Sequence, residues 1–201
     1  MKHKVFISYH HTNDQYYKNE FEKIYCELMK NCISRSVGDG EIDDDLSDER
    51  IREIIRDNYL KDSSVTIVLV GKETWKRKHV DWEIYSSLYD GPKNKRNGLI
   101  GILLPTYSWL EGMDINEFLA NFSKLKKTED GDDYFPYNIP PRLYDNIKTG
   151  YAKIYTWDNF VSNAEEYIHE AYLRKNDYNY KTDLSRPRFK KNRDGNRWYD
   201  T

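Results

Sequence analysis

The sequence predicts a doubly wound α/β fold, a parallel sheet with helices on both faces. Three observations carry this. Short apolar runs alternate with stretches of helical period along most of the chain. The run Val65-Thr66-Ile67-Val68-Leu69-Val70 is nearly all apolar and rich in β-branched residues, as suits a central strand buried on both faces. Finally, 201 residues suit one domain with an insertion or tail better than two domains.

Val5-Phe6-Ile7 reads as the first strand, closing at Ser8-Tyr9. Asn13 is the predicted N-cap of a helix whose apolar face is Tyr17, Phe21, Ile24 and Leu28. Residues 33–46 hold a short strand and a loop. Ser47 caps the next helix, with Asp48 and Glu49 in its first turn, Leu46 and Ile51 at the staple positions, and Ile51, Ile54, Ile55 and Tyr59 facing inward. The central strand follows, then a helix over about 80–89, and a strand from Leu99 to Leu104 stopped by Pro105. Residues 106–150 read as a helical and loop insertion, with one helix marked by Ile115, Phe118, Leu119 and Phe122. Tyr151–Trp157 alternates as a last strand and Phe160–Arg174 as a last helix. One domain over 1–176 and a basic tail over 177–201 are expected. From Arg174 on, nine basic residues face four acidic ones.

Composition narrows the class. Apolar residues are 38% and charged residues 33%, with mean hydropathy −0.95, yet 18 Tyr, 7 Phe and 5 Trp are too many aromatics for a disordered chain. A net charge of −2 gives no global pull toward nucleic acid or membrane. Cys26 and Cys32 make no disulfide framework and read as ordinary reduced thiols. No apolar run approaches the ~18 residues of a membrane span, and Val5–Ile7 is too short for a signal-peptide core. A cytoplasmic protein is therefore expected, with no membrane contact. Nucleic-acid binding through the tail is not expected either.

Several chemistries drop out. No G-x-G-x-x-G follows the first strand, and no phosphate-binding P-loop occurs. A phosphoacceptor site would need acids where Tyr9-His10-His11 and Gly71-Lys72 stand. The five histidines show no metal-ligand spacing, so no metal is expected.

The segment Trp75-Lys76-Arg77-Lys78-His79-Val80-Asp81-Trp82-Glu83-Ile84 is the informative one. Val80, Ile84 and Leu88 form an apolar stripe, and Glu83 falls roughly 60° from Val80, at the stripe's margin. A half-buried carboxylate there, just beyond the central strand's carboxyl end, is placed to face a ligand crevice. The alternative is a glutamate that merely complements the helix dipole. Trp82, Tyr85 and Tyr89 form a second stripe, read as packing under a neighbouring segment or, if exposed, as a partner surface.

Together these residues resemble the TIR domain family. Val5-Phe6-Ile7-Ser8-Tyr9 is similar to the family's opening strand, the acidic loop before Ser47 takes the place of its BB loop, and Ser63–Val70 is similar to its third strand. Val80-Asp81-Trp82-Glu83-Ile84 resembles the helix that carries the family's NAD-cleaving glutamate, which falls on Glu83. Phe6, Ser8 and Tyr9 fall where the family lines its nicotinamide–ribose pocket, and Trp75 is taken as a further substrate-binding residue. The stand-alone length and the Pro-Pro-Arg-Leu-Tyr-Asp-Asn segment at 140–146 look most like bacterial TIR-like proteins, including the TIR subunit of the Thoeris anti-phage system. Two features depart from the family: Glu83 directly follows Trp82, where many members have Cys, and His10-His11 follow Tyr9 where others have arginine or small residues.

The resemblance implies a flavodoxin-like strand order and an enzyme that cleaves NAD, its substrate, with no resident cofactor. It further implies a cyclic ADP-ribose-type product that activates a separate effector protein. Self-association into a homo-oligomer is left open. A non-catalytic TIR scaffold working through protein–protein contacts is the alternative. Seven carboxylates lie within the eleven residues 39–49, with no base among them. That loop reads either as a gate held open by self-repulsion or as a solvated surface that caps a helix.

Overall fold

The computed structural model describes residues 3–26, 32–33, 37, 41–43, 45–91, 95–110 and 113–198, apart from the side chains of Cys26, Cys32, Ile33 and Phe118. Its elements run β1 (Val5–Ser8), α1 (His11–Phe21) continued by a π-turn (Glu22–Cys26), β2 (Cys32–Ile33), α2 (Asp48–Asn58), β3 (Val65–Val70), a 3-10 turn (Thr74–Lys76), α3 (Lys78–Leu88) and β4 (Gly98–Leu103). Then come α4 (Ile115–Asn121), β5 (Lys126–Lys127), β6 (Asp133–Tyr134), α5 (Pro141–Lys148), β7 (Ala152–Thr156) and α6 (Trp157–Asn176).

Five strands form the main sheet, in the order β2-β1-β3-β4-β7, and every pairing is parallel. This is the flavodoxin-like order that the family resemblance implies, with Ser8 of β1 opposite Val68 of β3. The order reverses between β1 and β3, so a ligand crevice belongs at their carboxyl ends.

Strand alternation divides the core. Val5, Ile7, Val65, Ile67, Leu69, Ile100 and Ile102 pack with Phe21 of α1 and Phe160, Ala164 and Ile168 of α6. On the other face, Val68, Val70, Leu99 and Leu103 meet Val80, Ile84 and Leu88 of α3 and Leu143 of α5. Phe6 also points to this second face, where Trp82, Ile51, Ile55, Val37 and Ile42 surround it. The chain is therefore wound on both sides, as the alternating pattern requires.

Local signals mostly held. Ser47 caps α2 by accepting from Arg50 N, and Leu46 packs near Ile51 as a staple. At α1 the cap is His10 rather than Asn13: the His10 ring accepts from Asn13 N, and Asn13 instead donates to Glu73. An imidazole nitrogen can serve as the acceptor that a Ser or Asp usually supplies, so the helix starts earlier than the asparagine suggests. Leu28, Asp39 and Asp44 lie outside the described residues, as do the cysteine side chains.

Residues 106–150 hold α4, the β5–β6 hairpin and α5. Ile115, Leu119 and Phe122 are exposed instead of facing a core. The C-terminal segment folds back on the domain. Arg193 N donates to Lys76 O at 2.8 Å and Trp198 N to Tyr137 O at 2.9 Å. Arg188 and Lys190 both reach Asp48 at the start of α2.

Candidate active site

Helix α3 is buried on nearly every side, nine of its eleven residues being inaccessible. Val80, Ile84 and Leu88 face the sheet. On another side Trp82 Nε1 donates to Phe189 O at 2.8 Å, and Phe189 N donates to Asp81 Oδ2 at 2.9 Å. The aromatic stripe is thus packed. Arg188 stacks on Trp82, Arg142 on Tyr85 and Arg52 on Tyr89.

Between these two faces Glu83 points at the end of β1. Ser8 Oγ donates to Glu83 Oε2 at 2.5 Å, and Val37 N donates to Oε1 at 2.6 Å. The residue is 1% exposed, where the helical pattern predicted half-burial. Val37 supplies part of the difference: its N–H reaches the carboxyl while its side chain packs with Ile42 in the Phe6–Trp82 cluster beside it. Burial pushes the Glu83 carboxyl up to about 8, against the downward pull of its bonds from Ser8 and Val37, and Glu41 nearby adds to the rise. A carboxyl so placed holds its proton at neutral pH until solvent or a cation reaches it.

The other sequence-picked residues divide. Phe6 and Ser8 share the sheet face with Glu83, because residues two apart on a strand point the same way. Tyr9 lies on the opposite side, in the cluster under α1 and α6. There its hydroxyl donates to Gln15 at 2.8 Å and its ring stacks on His11. Trp75 is buried in the 3-10 turn after β3 and lines a small cleft with Lys72, Ser108, Asn138 and Asn196. The structure brings Ser8 and Phe6 to Glu83 and its neighbour Trp82, and sets Tyr9 and Trp75 apart from them.

Two features escaped the sequence reading. Arg142 grips Asp81 through two bonds, 2.8 and 3.2 Å, with both side chains buried. Pro141 at the first position of α5 and Gly150 just beyond its end were the available signals. The second is Asp14, fully buried at the carboxyl ends of β1, β3 and β4. Thr74 Oγ1 donates to it at 3.0 Å and Thr106 Oγ1 at 3.5 Å. A Cβ at position 71 would fall 2.2 Å from Asp14 Oδ1, so only Gly71 lets this carboxylate reach its place. Burial raises Asp14 to about 6, despite the hydrogen bonds it receives. Among the described residues no three His, Cys, Asp or Glu side chains converge as a metal-binding set.

The family model for the Thoeris protein ThsB, TIR-like domain, matches residues 6–108, just over half of the chain. The chain belongs to this family. Compared with the curated proteins and with the solved structures, it matches nothing significantly. The match ties this TIR-like chain to Thoeris, an anti-phage defence system. Phe6, Ser8, Asp14, Trp75 and Glu83 all lie within the matched span, whereas Arg142 and the C-terminal segment lie beyond it. Among the described residues no helix is long and apolar enough to cross a membrane.

Proposed function

We propose that this TIR-like chain cleaves the nicotinamide–ribose bond of NAD, with Glu83 as the catalytic carboxylate. Its product is a cyclic ADP-ribose-type signal that activates a separate effector protein in anti-phage defence. The observation that carries this reading is the Ser8–Glu83 pair. It joins α3 to the carboxyl end of β1, beside the point where the strand order reverses.

The chemistry asks little of the protein beyond charge and position. When the C1′–N bond of NAD breaks, its electron pair goes to the pyridinium nitrogen, so nicotinamide leaves neutral and no general acid is required. Positive charge develops on the ribosyl centre, where one carboxylate stabilises it. A glycosidase needs a second carboxyl group to protonate an alkoxide leaving group, and this reaction does not. Capture by water, with loss of a proton, gives ADP-ribose. Capture by a hydroxyl or ring nitrogen of the same molecule, again with loss of a proton, gives a cyclic product.

Glu83 must be ionised and reachable for this, and at rest it is neither. Val37 and Ile42 have to move, after which solvent and the substrate's own positive charge return its pKa toward the ordinary range. Ser8 then keeps the carboxylate oriented. The resting protein is accordingly low in activity, which suits an enzyme surrounded by abundant NAD.

The test is to incubate the purified chain with NAD, with and without lysate from phage-infected cells, and to follow nicotinamide release. Product masses distinguish hydrolysis from cyclisation, since the cyclic product is lighter by one water. The scaffold reading draws on the exposed Ile115, Leu119 and Phe122, and it predicts no nicotinamide release under any trigger.

A further inference from the structure

The C-terminal segment lines a half-open cleft of about 420 Å³, the size of a small-molecule site. Five cations, Arg186, Arg188, Lys190, Lys191 and Arg193, line it beside one acid, Asp194. Neighbouring carboxylates offset only part of this charge. Asp145 pairs with Arg186 at 2.7 Å, and Asp48 is shared by Arg188 and Lys190. Three acids against five cations leave two positive charges on a concave wall.

The wall is built rather than loose. Phe189 is bonded at both its N–H and its carbonyl to α3, Asn192 Oδ1 accepts from Lys78 N at 3.1 Å, and Arg193 N donates to Lys76 O at 2.8 Å. Arg188 is itself buried, held over the Trp82 ring and paired with Asp48. Burial, and then Arg186, lower the Arg193 pKa, while Asp81 raises it.

We propose that residues 186–195 form a second ligand site, for a small molecule carrying a diphosphate group. A diphosphate matches the excess charge, and its oxygens can take the exposed ammonium groups of Lys190 and Lys191. The inference does not rest on the reading of Glu83. Phe189 also bonds the two residues that precede Glu83, so a ligand held here bears directly on α3.

Calorimetric titration of the full chain at low salt tests this, with inorganic pyrophosphate, ADP, adenosine and a single-stranded DNA oligonucleotide as separate probes. Pyrophosphate is expected to bind saturably at one site per chain. In Lys190→Glu/Lys191→Glu its affinity falls at least about tenfold. Both lysines are exposed, so the fold should persist, and Lys191→Glu alone serves if circular dichroism shows that it does not. ADP binding more tightly than pyrophosphate assigns a nucleotide, and equal affinities assign the diphosphate group alone; either supports the site. No saturable binding at about 1 mM overturns it. So does an affinity unaltered in the lysine variants, adenosine binding as tightly as ADP, or DNA displacing pyrophosphate.

Discussion

Ser8 and Glu83 lie 75 residues apart in the chain, yet the serine hydroxyl donates to the Glu83 carboxyl at 2.5 Å. The bond ties the end of β1 to the first turns of α3, and it is one of only two hydrogen bonds described for that buried carboxyl. Ser8→Ala removes a bond that favours the ionised form. The pKa of Glu83 in the free enzyme then rises further, and kcat/KM for NAD at pH 7 falls about tenfold, the effect of roughly 1.4 kcal/mol. The check is the pH profile of nicotinamide release. In the variant its ascending limb shifts to higher pH, and activity recovers partly under alkaline conditions.

Stability carries the opposite signature. Burial raises Glu83 from an ordinary glutamate value of 4.5 to about 8, so the folded state binds this proton more tightly than the unfolded chain. That contribution is complete below the unfolded pKa and is lost as pH rises through about 8. Asp14 behaves alike, its contribution fading through about 6. Glu83→Gln and Asp14→Asn should therefore melt higher than the parent at pH 8.5 and close to it at pH 4. Thermal melts across this range measure both effects.

The central place of β3 was legible because Val65–Val70 reads as a strand buried on both faces, whereas the order of the strands followed only from the family resemblance. Glu83 could be found from its place beside the Val80–Ile84–Leu88 stripe. Its complete burial could not. That depends in part on Val37, which carries no local signal for a contact with α3. The Asp81–Arg142 pair spans 61 residues, and helical periodicity cannot reveal which charge meets which at that range. The face of α4 looked like core because a helical stripe does not say whether anything covers it. Tyr9 follows Ser8 in sequence but falls on the other side of the sheet, a direct consequence of the two-residue period.

The buried ion pair is expected to behave as a locked unit. Arg142→Ala strands Asp81 without its guanidinium and should cost about 3–5 kcal/mol. Adding Asp81→Ala recovers part of that loss, since no buried charge then remains unpaired. Urea denaturation of the two single variants and the double variant closes the cycle. Strict additivity would mean that the two groups do not interact.

Release of the cover over Glu83 should raise the resting rate. Ile42→Ala trims an apolar anchor of that cover. Asp43→Asn, Asp44→Asn and Asp45→Asn together remove three of the loop's carboxylates. Each change is expected to increase untriggered nicotinamide release several-fold with the fold retained by circular dichroism. An unchanged rate in both would leave the loop as a solvated cap of α2.

The most direct measurement compares the chain with its Glu83→Gln variant in nicotinamide release from NAD, both triggered by infected-cell lysate. Glutamine has nearly the same shape and can keep bonds to Ser8 and Val37, but it carries no charge. The account predicts release by the parent and a loss of at least about a hundredfold in the variant, as expected when one preorganised charge is removed from the transition state. Equal release by the two proteins would contradict it.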